Sequence, residues 1–491
     1  MNSRRKFLKQ IGMASGAIFI ADSILADPYK PLLINPLNKS YIRVKGSVTQ
    51  NSKPVKELVV SDGVSVTATT SDGTYELITD SNQEFIFISI PAGYKIPVSK
   101  NGTANFYKRI THNTSNEQVI DFNLEKSSDD NEHKFLLFAD PQTLDMDDIN
   151  RFNNETINDV NKFYPDKENL FVVSCGDIMF DHLELFPDYE NAIAKTGLPY
   201  FQVLGNHDVD GLSRTDEKSH LTFQNFFGPR YFSFNKGEVH YVVLDDIFWY
   251  GDYIGYFDQL QLDWLKKDLE YIEKGKTVVV FCHIPPNNFS PERNNYSDKA
   301  SVTVVNRELL YSILQGYKSY IITGHMHESE FISEQGVQIH VCGAVCGAWW
   351  SDNICDDGTP NGYMQYSVKG SELSWMYKST GKELKYQMKS YLNKNENNKN
   401  DLTMNVWGAT NDQKVFWHED GIRKGTLERF LGFDPATIEL FSGSDKPKKH
   451  SWVDPSKTDH LFKLSDLEIN KEITIEYSDF FKNTFTEKII G

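Results

Sequence analysis

The 491-residue sequence has little cysteine, a deficit of basic residues and no long apolar segment. Five scattered cysteines exclude a disulfide-stabilised scaffold, and their odd number leaves at least one thiol free. Acidic residues outnumber basic ones by 68 to 51, a formal net charge of −17, which argues against binding a nucleic acid polymer or an anionic membrane surface. No apolar run is long enough to form a transmembrane segment.

The rest of the composition is typical of a folded, multidomain protein. Hydrophobic residues make up 39% of the chain and aromatic residues 13%, which excludes global disorder. The length predicts about three domains. Changes of sequence pattern place them at residues 41–125, 133–365 and 366–491.

Residues 1–26 have the pattern of an export signal. A basic start at residues 4–9 precedes an apolar run at 11–21 that is too short to cross a bilayer. This start resembles a twin-arginine signal, with cleavage expected after Ala26. We therefore expect an exported protein, either periplasmic or associated with the cell surface. The alternative is a cytosolic amphipathic tail.

The two outer domains have the pattern of β structure. In residues 41–125, β-branched runs such as 64–70 and 85–90 are separated by turn sequences such as Asp62-Gly63. This pattern predicts a small N-terminal β-sandwich. Residues 366–491 return to strand-like sequence with aromatic residues and turns, which predicts a C-terminal β-rich domain.

The middle domain alternates strands with helices. Apolar periodicity predicts helices at 257–274 and 306–315, and the segment 230–246 is typical of a hairpin, so the sheet is mixed. The domain is therefore predicted to be α/β, with buried sheets flanked by helices. Strands are predicted at residues 135–139, 170–174, 200–204, 241–244, 277–282, 320–323 and 337–341.

Five of these strands run directly into polar, potentially metal-binding residues. The segments, in chain order, are Asp140-Pro141-Gln142, Cys175-Gly176-Asp177, Gly205-Asn206-His207-Asp208, His283-Ile284-Pro285-Pro286 and Gly324-His325-Met326-His327. Because ligands of α/β proteins bind beyond the carboxyl ends of the strands, we expect these segments to converge on one small volume. Glycines beside Asp177, Asn206 and His325 would let the backbone turn sharply there.

The residue types in these segments indicate a site for two divalent metal ions. Imidazole nitrogens and carboxylate oxygens bind divalent transition metals, and one carboxylate can bridge two ions. Asp177 is the expected bridge, because its strand is predicted to lie centrally. Such ions would also supply the positive centre that an acidic chain needs in order to bind a phosphate group.

In this order the segments resemble the calcineurin-like metallophosphoesterase family. The resemblance covers about residues 133–345, and the outer domains resemble more loosely those of an exported bacterial subgroup. It implies a core of mixed sheets in a β-sandwich flanked by helices. It also implies that a small phosphorylated substrate, a phosphate mono- or diester, is hydrolysed by in-line attack of a hydroxide that bridges two Mn, Fe or Zn ions.

The resemblance also assigns roles to individual residues. Around the first ion it places Asp140, Gln142, Asp177 and His327, and around the second Asp177, Asn206, His283 and His325. His207 would face the substrate, contact the phosphoryl oxygens and protonate the leaving group. Asp208 would orient the His207 ring.

Gln142 departs from the family pattern, which usually has histidine at this position. An amide oxygen is a weaker and harder ligand than imidazole, so the first ion would bind less tightly or be a harder ion such as manganese. The alternative is that Gln142 only hydrogen-bonds a water on the metal. If the first ion does not bind, the site would hold a single ion.

Two further groups have open interpretations. Trp349 and Trp350 follow the last motif and would either line the substrate entrance or seal the interface with a β domain. Cys342, Cys346 and Cys355 lie near one another in a chain expected in an oxidising compartment, where one disulfide among them is as expected as none.

Two other functions compete with this interpretation. One is a hydrolase of a phosphosugar lipid or of another ester. The other is a catalytically weak surface protein that binds glycan or protein. The second alternative predicts lost metal ligands, whereas only Gln142 departs from the family pattern.

Overall fold

The computed structural model describes residues 41–111, 116–444, 446–447, 449–468 and 471–489. The predicted export signal, residues 1–26, lies outside these ranges. Within them, no helix has both the length and the apolar character needed to cross a membrane.

Two mixed sheets form the centre of the molecule, which confirms the predicted fold class. The first sheet has the spatial strand order Tyr200–Val203, Leu170–Cys175, Glu132–Phe138, Gly362–Lys369 and Glu372–Ser379. Its first three strands are parallel, and its last two pairings are antiparallel. The second sheet has the order Phe232–Lys236, Val239–Val243, Thr277–Phe281, Lys318–Thr323, Val337–Val341 and Glu330–Glu334. Its four middle strands are parallel, and both edge pairings are antiparallel.

The central strands are almost entirely apolar because both of their faces are covered. Every residue of Leu170–Cys175 and of Thr277–Phe281 is buried. Aromatic rings fill the space between the two sheets: Phe135 of the first packs edge-to-face on Phe281 of the second, with centroids 5.6 Å apart. The seven strands predicted for this domain are all present, with ends shifted by up to three residues.

Short helices connect the strands. The α-helices in the described part of the chain are Met146–Arg151, Asn158–Phe163, Phe186–Ala194, Asp216–Ser219, Leu221–Phe227, Gln259–Leu269, Ser290–Asn294, Arg307–Leu314 and Pro435–Phe441. A π-helical turn, Phe152–Ile157, joins the first two, and Leu183–Leu185 is a 3-10 turn. The helix predicted at 257–274 is shorter, Gln259–Leu269. Its start is set by Asp258, which accepts a 2.9 Å hydrogen bond from the Gln261 amide.

The N-terminal domain consists of two small sheets, the first mixed and the second antiparallel. One contains Lys53–Pro54, Tyr41–Gln50, Thr74–Asp80, Glu117–Val119 and Phe122–Asn123, and the other contains Val66–Ala68, Val59–Ser61, Phe85–Ile88 and Tyr107–Arg109. Phe106 of this domain packs on Phe232 of the second central sheet, with ring centroids 4.2 Å apart. The Trp264 indole donates a hydrogen bond to the Ser61 hydroxyl. The domain therefore shares one apolar core with the central sheets.

The C-terminal domain begins later than predicted. Gly362–Lys369 pairs with Glu132–Phe138, and Glu372–Ser379 pairs with Gly362–Lys369, so both strands belong to the first central sheet. The predicted boundary at residues 365 and 366 therefore cuts a strand and is wrong, because the pairing that places it is remote in sequence. The domain itself has two four-stranded sheets. The first has the strand order Lys389–Lys394, Asn400–Asn405, Lys457–Leu467 and Glu428–Phe433. The second has the order Ile422–Thr426, Val415–Glu419, Ile473–Ser478 and Thr484–Ile489.

Candidate metal centre

The carboxyl ends of the two central sheets meet and bring the polar segments together. Asp177 follows a strand of the first sheet, whereas His283 and His325 follow neighbouring strands of the second. One ligand atom from each of these three side chains lies within 4.8 Å of the others. All three belong to the set that the resemblance assigns to metal ions.

Most of the predicted metal ligands have an uncommon backbone conformation. Five of the seven have positive φ: Asp140 at 48°, Gln142 at 38°, Asp177 at 45°, His325 at 71° and His327 at 52°. Non-glycine residues rarely adopt this region, and each instance costs on the order of 1–3 kcal/mol. Such strain is concentrated in functional sites, because it points side chains in directions that relaxed strand ends do not.

Two glycines are required by the closeness of the segments. At Gly176, whose φ is +81°, a β-carbon would lie 2.2 Å from Nδ1 of His283. At Gly205, a β-carbon would lie 1.9 Å from the Asp177 backbone nitrogen. Any larger residue would push the metal-binding segments apart.

In the second predicted ligand group, His283 and His325 each direct one ring nitrogen toward the other ring. Nδ1 of His283 donates to the Cys175 carbonyl oxygen at 2.9 Å, and Nε2 of His325 donates to the Ser301 carbonyl oxygen at 2.9 Å. The remaining nitrogens, Nε2 of His283 and Nδ1 of His325, lie 3.1 Å apart. In neutral rings both of these atoms are acceptors, so the gap between them favours a cation.

Oxygen ligands complete this second group. Oδ1 of Asn206 lies 3.1 Å from Nε2 of His283, and Oδ1 of Asp177 lies 3.3 Å from the same nitrogen. Burial disfavours charge on His283, but the Asp177 carboxylate outweighs burial and raises the His283 pKa to about 10. The site thus attracts a positive charge, and its mixture of imidazole and oxygen donors suits a divalent transition metal.

The first predicted ligand group has looser contacts. Nε2 of His327 lies 3.6 Å from Oδ1 of Asp140, while its Nδ1 donates to the Gly347 carbonyl oxygen at 2.7 Å. Nε2 of Gln142 donates to Oδ2 of Asp177 at 3.3 Å. Oε1 of Gln142 is buried and has no hydrogen-bond partner among the described residues. That oxygen fits either predicted role, a metal ligand or an acceptor for a water on the metal.

His207 lies at the edge of the candidate metal centre, and its ring is partly exposed. Its backbone amide donates to Oδ1 of Asp177 at 2.9 Å, and its Nδ1 lies 2.8 Å from Oδ1 of Asp181. Burial lowers the His207 pKa, but the carboxylates of Asp177 and Asp181 outweigh burial and raise it above the ordinary value. The ring therefore tends to carry the proton that a leaving group would need.

The prediction that Asp208 orients His207 is wrong. The buried Asp208 carboxylate accepts hydrogen bonds from three backbone amides, those of Ile178, Met179 and Gly205. It therefore ties the loop after Leu170–Cys175 to the loop after Tyr200–Val203. Asp181 is the carboxylate that contacts the His207 ring.

Asp181 and Asp246 are site residues that the sequence analysis missed. Asp246 follows the strand Val239–Val243, and its Oδ1 accepts a 3.2 Å hydrogen bond from the His283 amide. Its Oδ2 is buried without a partner among the described residues, and burial raises its pKa to about 7. Asp246 comes just after a predicted strand, so the expectation that ligands bind beyond strand ends could have identified it. No such signal marked Asp181, which lies four residues beyond Asp177 in a loop.

The two tryptophans have different environments. The Trp349 ring stacks on the His327 ring, with centroids 4.1 Å apart and planes 19° apart. Trp350 is 3% exposed and donates from Nε1 to the Pro141 carbonyl oxygen at 2.8 Å. Trp349 therefore lies beside the candidate metal centre, whereas Trp350 is buried against the loop that carries Asp140 and Gln142. Cys342, Cys346 and Cys355 form no disulfide; all five cysteines are free and buried.

Comparison with known families agrees with this geometry. Three family descriptions match the chain in order: the N terminal of calcineurin-like phosphoesterase at residues 42–127, calcineurin-like phosphoesterase at 133–329 and the C terminal of calcineurin-like phosphoesterase at 339–485. Together they cover all three domains. The chain belongs to the calcineurin-like phosphoesterases, a family that implies bound divalent metal ions.

Individual relatives are more distant. Purple acid phosphatase 15 of Arabidopsis thaliana is 27% identical over 169 residues, covering 32% of this chain and 29% of that protein. Purple acid phosphatase 23 of the same plant is 24% identical over 163 residues, covering 30% and 32%. The chain thus spans about a third of the length of these relatives. A solved structure, purple acid phosphatase PPD1 from yellow lupin (Lupinus luteus) seeds, is 13% identical with a TM-score of 0.39, covering 66% of this chain and 67% of that one.

Proposed function

We propose that this protein is a metal-dependent phosphoesterase that hydrolyses a small phosphate mono- or diester. The observation that carries the proposal is the convergence of Asp177, His283 and His325, with two imidazole acceptor atoms 3.1 Å apart. Carbonyl oxygens orient both rings so that these atoms face the same point. Membership of the calcineurin-like phosphoesterases supports the same reaction class.

We infer that the site holds two divalent ions, of Mn, Fe or Zn. The first would be held by Asp140, Gln142, Asp177 and His327, and the second by Asp177, Asn206, His283 and His325. Bound divalent cations would lower the pKa of water and offset negative charge on the phosphoryl oxygens. The buried, unpartnered oxygen of Gln142 supports a role for that residue in the first group.

His207 would assist departure of the leaving group. Its Nδ1 is engaged by Asp181, so Nε2 remains for the substrate. The two nearby carboxylates favour the protonated ring, which would donate from Nε2 to the leaving oxygen. The partly exposed position of the ring supports this role, because a substrate can reach it.

Replacing Asp177 tests the proposal. The purified protein should contain divalent metal and hydrolyse aryl phosphates, and Asp177→Asn should lose metal together with at least about 100-fold of the activity. Asp263→Asn, a carboxylate on the exposed face of the helix Gln259–Leu269, is the matched control and should behave as the parent. Full phosphoesterase activity in Asp177→Asn would refute the proposal.

We also propose that the protein is exported through the twin-arginine route, on the basis of residues 4–9. Changing Arg4 and Arg5 together to lysine should keep the protein in the cytoplasmic fraction while leaving its charge unchanged. Equal export of the doubly substituted chain would refute this route.

A further inference from the structure

A loop of the C-terminal domain contributes one side of the surroundings of the metal centre. An unbroken series of ring contacts runs along His207, Phe180, His450, Trp452, Trp349 and His327. Successive ring centroids lie 4.1 to 5.7 Å apart. The series begins at the proposed proton donor and ends at a predicted metal ligand, so the C-terminal domain reaches the place where a substrate would lie.

The loop that carries His450 and Trp452 is anchored to the catalytic domain. The Lys449 ammonium forms ion pairs with Asp145, at 3.1 Å, and with the buried Asp148. Further along the loop, the Ser456 amide donates to the Asp356 carbonyl oxygen at 2.9 Å. These contacts on both sides of Trp452 hold the indole in position.

Trp349 and Trp452 form the corner of a cavity of about 480 Å³. Their ring centroids are 4.6 Å apart and their planes are inclined by 63°. Trp452 is 54% exposed. Trp349 has a φ of 50°, a strained conformation that keeps its ring against His327. The cavity therefore adjoins the first predicted ligand group.

The arginine that lines this cavity is not free to bind a phosphate. Its guanidinium, that of Arg293, is already paired with Glu328, at 2.6 Å, and with Glu330. By contrast, the carboxylate of Asp356 is 9% exposed, and its Oδ1 has no hydrogen-bond partner among the described residues. The wall of the cavity thus combines two indole rings with a carboxyl oxygen whose hydrogen-bonding capacity no described residue uses.

We propose that this cavity binds the leaving group of the substrate, and that this group carries a ring with hydrogen-bond donors, the chemistry shared by a sugar and a nucleoside. An indole face stacks on such a ring, and the unpartnered Asp356 oxygen accepts from a hydroxyl or amino group. The volume suits a ligand of that size. This inference rests on the proposed phosphoesterase function, and it gives the C-terminal domain a role in substrate selection.

The test compares three phosphomonoesters at one metal concentration: a nucleoside monophosphate, a hexose phosphate and glycerol phosphate, which has no ring. The parent enzyme should hydrolyse at least one ring-bearing ester with a kcat/KM at least about 10-fold above that for glycerol phosphate. Whichever ester is preferred identifies the leaving group as a sugar or a nucleoside.

In Trp452→Ala, kcat/KM for the preferred ester should fall about 10-fold more than kcat/KM for glycerol phosphate. Asp356→Asn should shift the same ratio, with circular dichroism checking that each variant is folded. Phe480→Ala, which removes another exposed aromatic ring of the same domain, should leave the ratio unchanged.

Two results would overturn the inference while leaving the phosphoesterase function intact: no preference among the three esters, or an equal loss on all of them in folded Trp452→Ala. Failure of the parent enzyme to hydrolyse any phosphate ester with divalent ions would instead refute the proposed function.

Discussion

Nδ1 of His207 lies 2.8 Å from Oδ1 of Asp181, and this pair lies at the exposed edge of a largely buried site. The Asp181 side chain is 69% exposed, so the pair is accessible from solvent. The contact orients the imidazole and leaves its second nitrogen free.

If His207 protonates the leaving group, its loss should matter most for poor leaving groups. We expect His207→Ala to lower kcat about 100-fold for an alkyl phosphate and much less for 4-nitrophenyl phosphate, because 4-nitrophenolate is a stable anion that can leave without a proton. Asp181→Asn should show the same selectivity with a smaller loss. The neighbouring exposed His182→Ala serves as the control. Equal losses on both substrates would contradict the role of proton donor.

Asp208 should matter for stability. Its carboxylate satisfies three buried amides, and asparagine places an N–H donor against at least one of them. We expect Asp208→Asn to lower the free energy of unfolding by about 2–3 kcal/mol. Urea denaturation of chelator-treated protein measures this change, with Asp263→Asn as the control. An unfolding free energy equal to that of the parent would show that these three contacts contribute little.

Gln142 should limit the affinity of the first metal site. Imidazole binds divalent transition metals more tightly than an amide oxygen does, so we expect Gln142→His to retain more metal after dialysis. After dialysis, elemental analysis should show about one retained ion per chain in the parent protein and about two in the variant. Equal metal content in the two proteins would mean that Gln142 does not set the occupancy.

Buried neutral histidines should make the fold sensitive to acid. Burial lowers the His133 pKa from 6.5 to about 4 and the His340 pKa to about 3. Between pH 6.5 and 4 these two histidines therefore bind more protons in the unfolded chain than in the folded chain, so the stability that they contribute falls as pH falls. His133 contributes roughly 3 kcal/mol of this change.

Denaturation at pH 7, 5.5 and 4.5 measures this dependence. In His133→Gln, stability should decline less steeply over that interval than in the parent protein, whereas the exposed-site variant His182→Gln should keep the parent slope. An unchanged slope in His133→Gln would contradict the assignment.

The five cysteines should behave as buried thiols. All are free in the structure, and burial raises the pKa of the Cys342 thiol to about 12, which keeps it protonated and unreactive. A thiol reagent should label none in the native protein and all five in guanidinium chloride without reductant. A smaller count in the denatured protein would reveal a disulfide among Cys342, Cys346 and Cys355.

The part of the site that the sequence predicted consists of residues that directly follow apolar strands. Asp177, His283 and His325 each follow a buried apolar strand, and the ends of parallel strands meet at one edge. Their nearness therefore follows from local sequence. The partner of His207 does not, because Asp181 and Asp208 are both acidic residues in loops, and only the paths of those loops decide which one touches the ring.

The order of domains, the apolar strands and the residue types that end them can be read from the amino-acid sequence, because each depends on the periodicity of a short segment. Three relationships become visible in the folded chain alone: Gly362–Lys369 completes the first central sheet, Asp208 binds backbone amides, and Trp452 lies beside Trp349. Those relationships join segments distant in the chain, and the free energy that selects them comes from packing and buried hydrogen bonds formed only after the chain has folded.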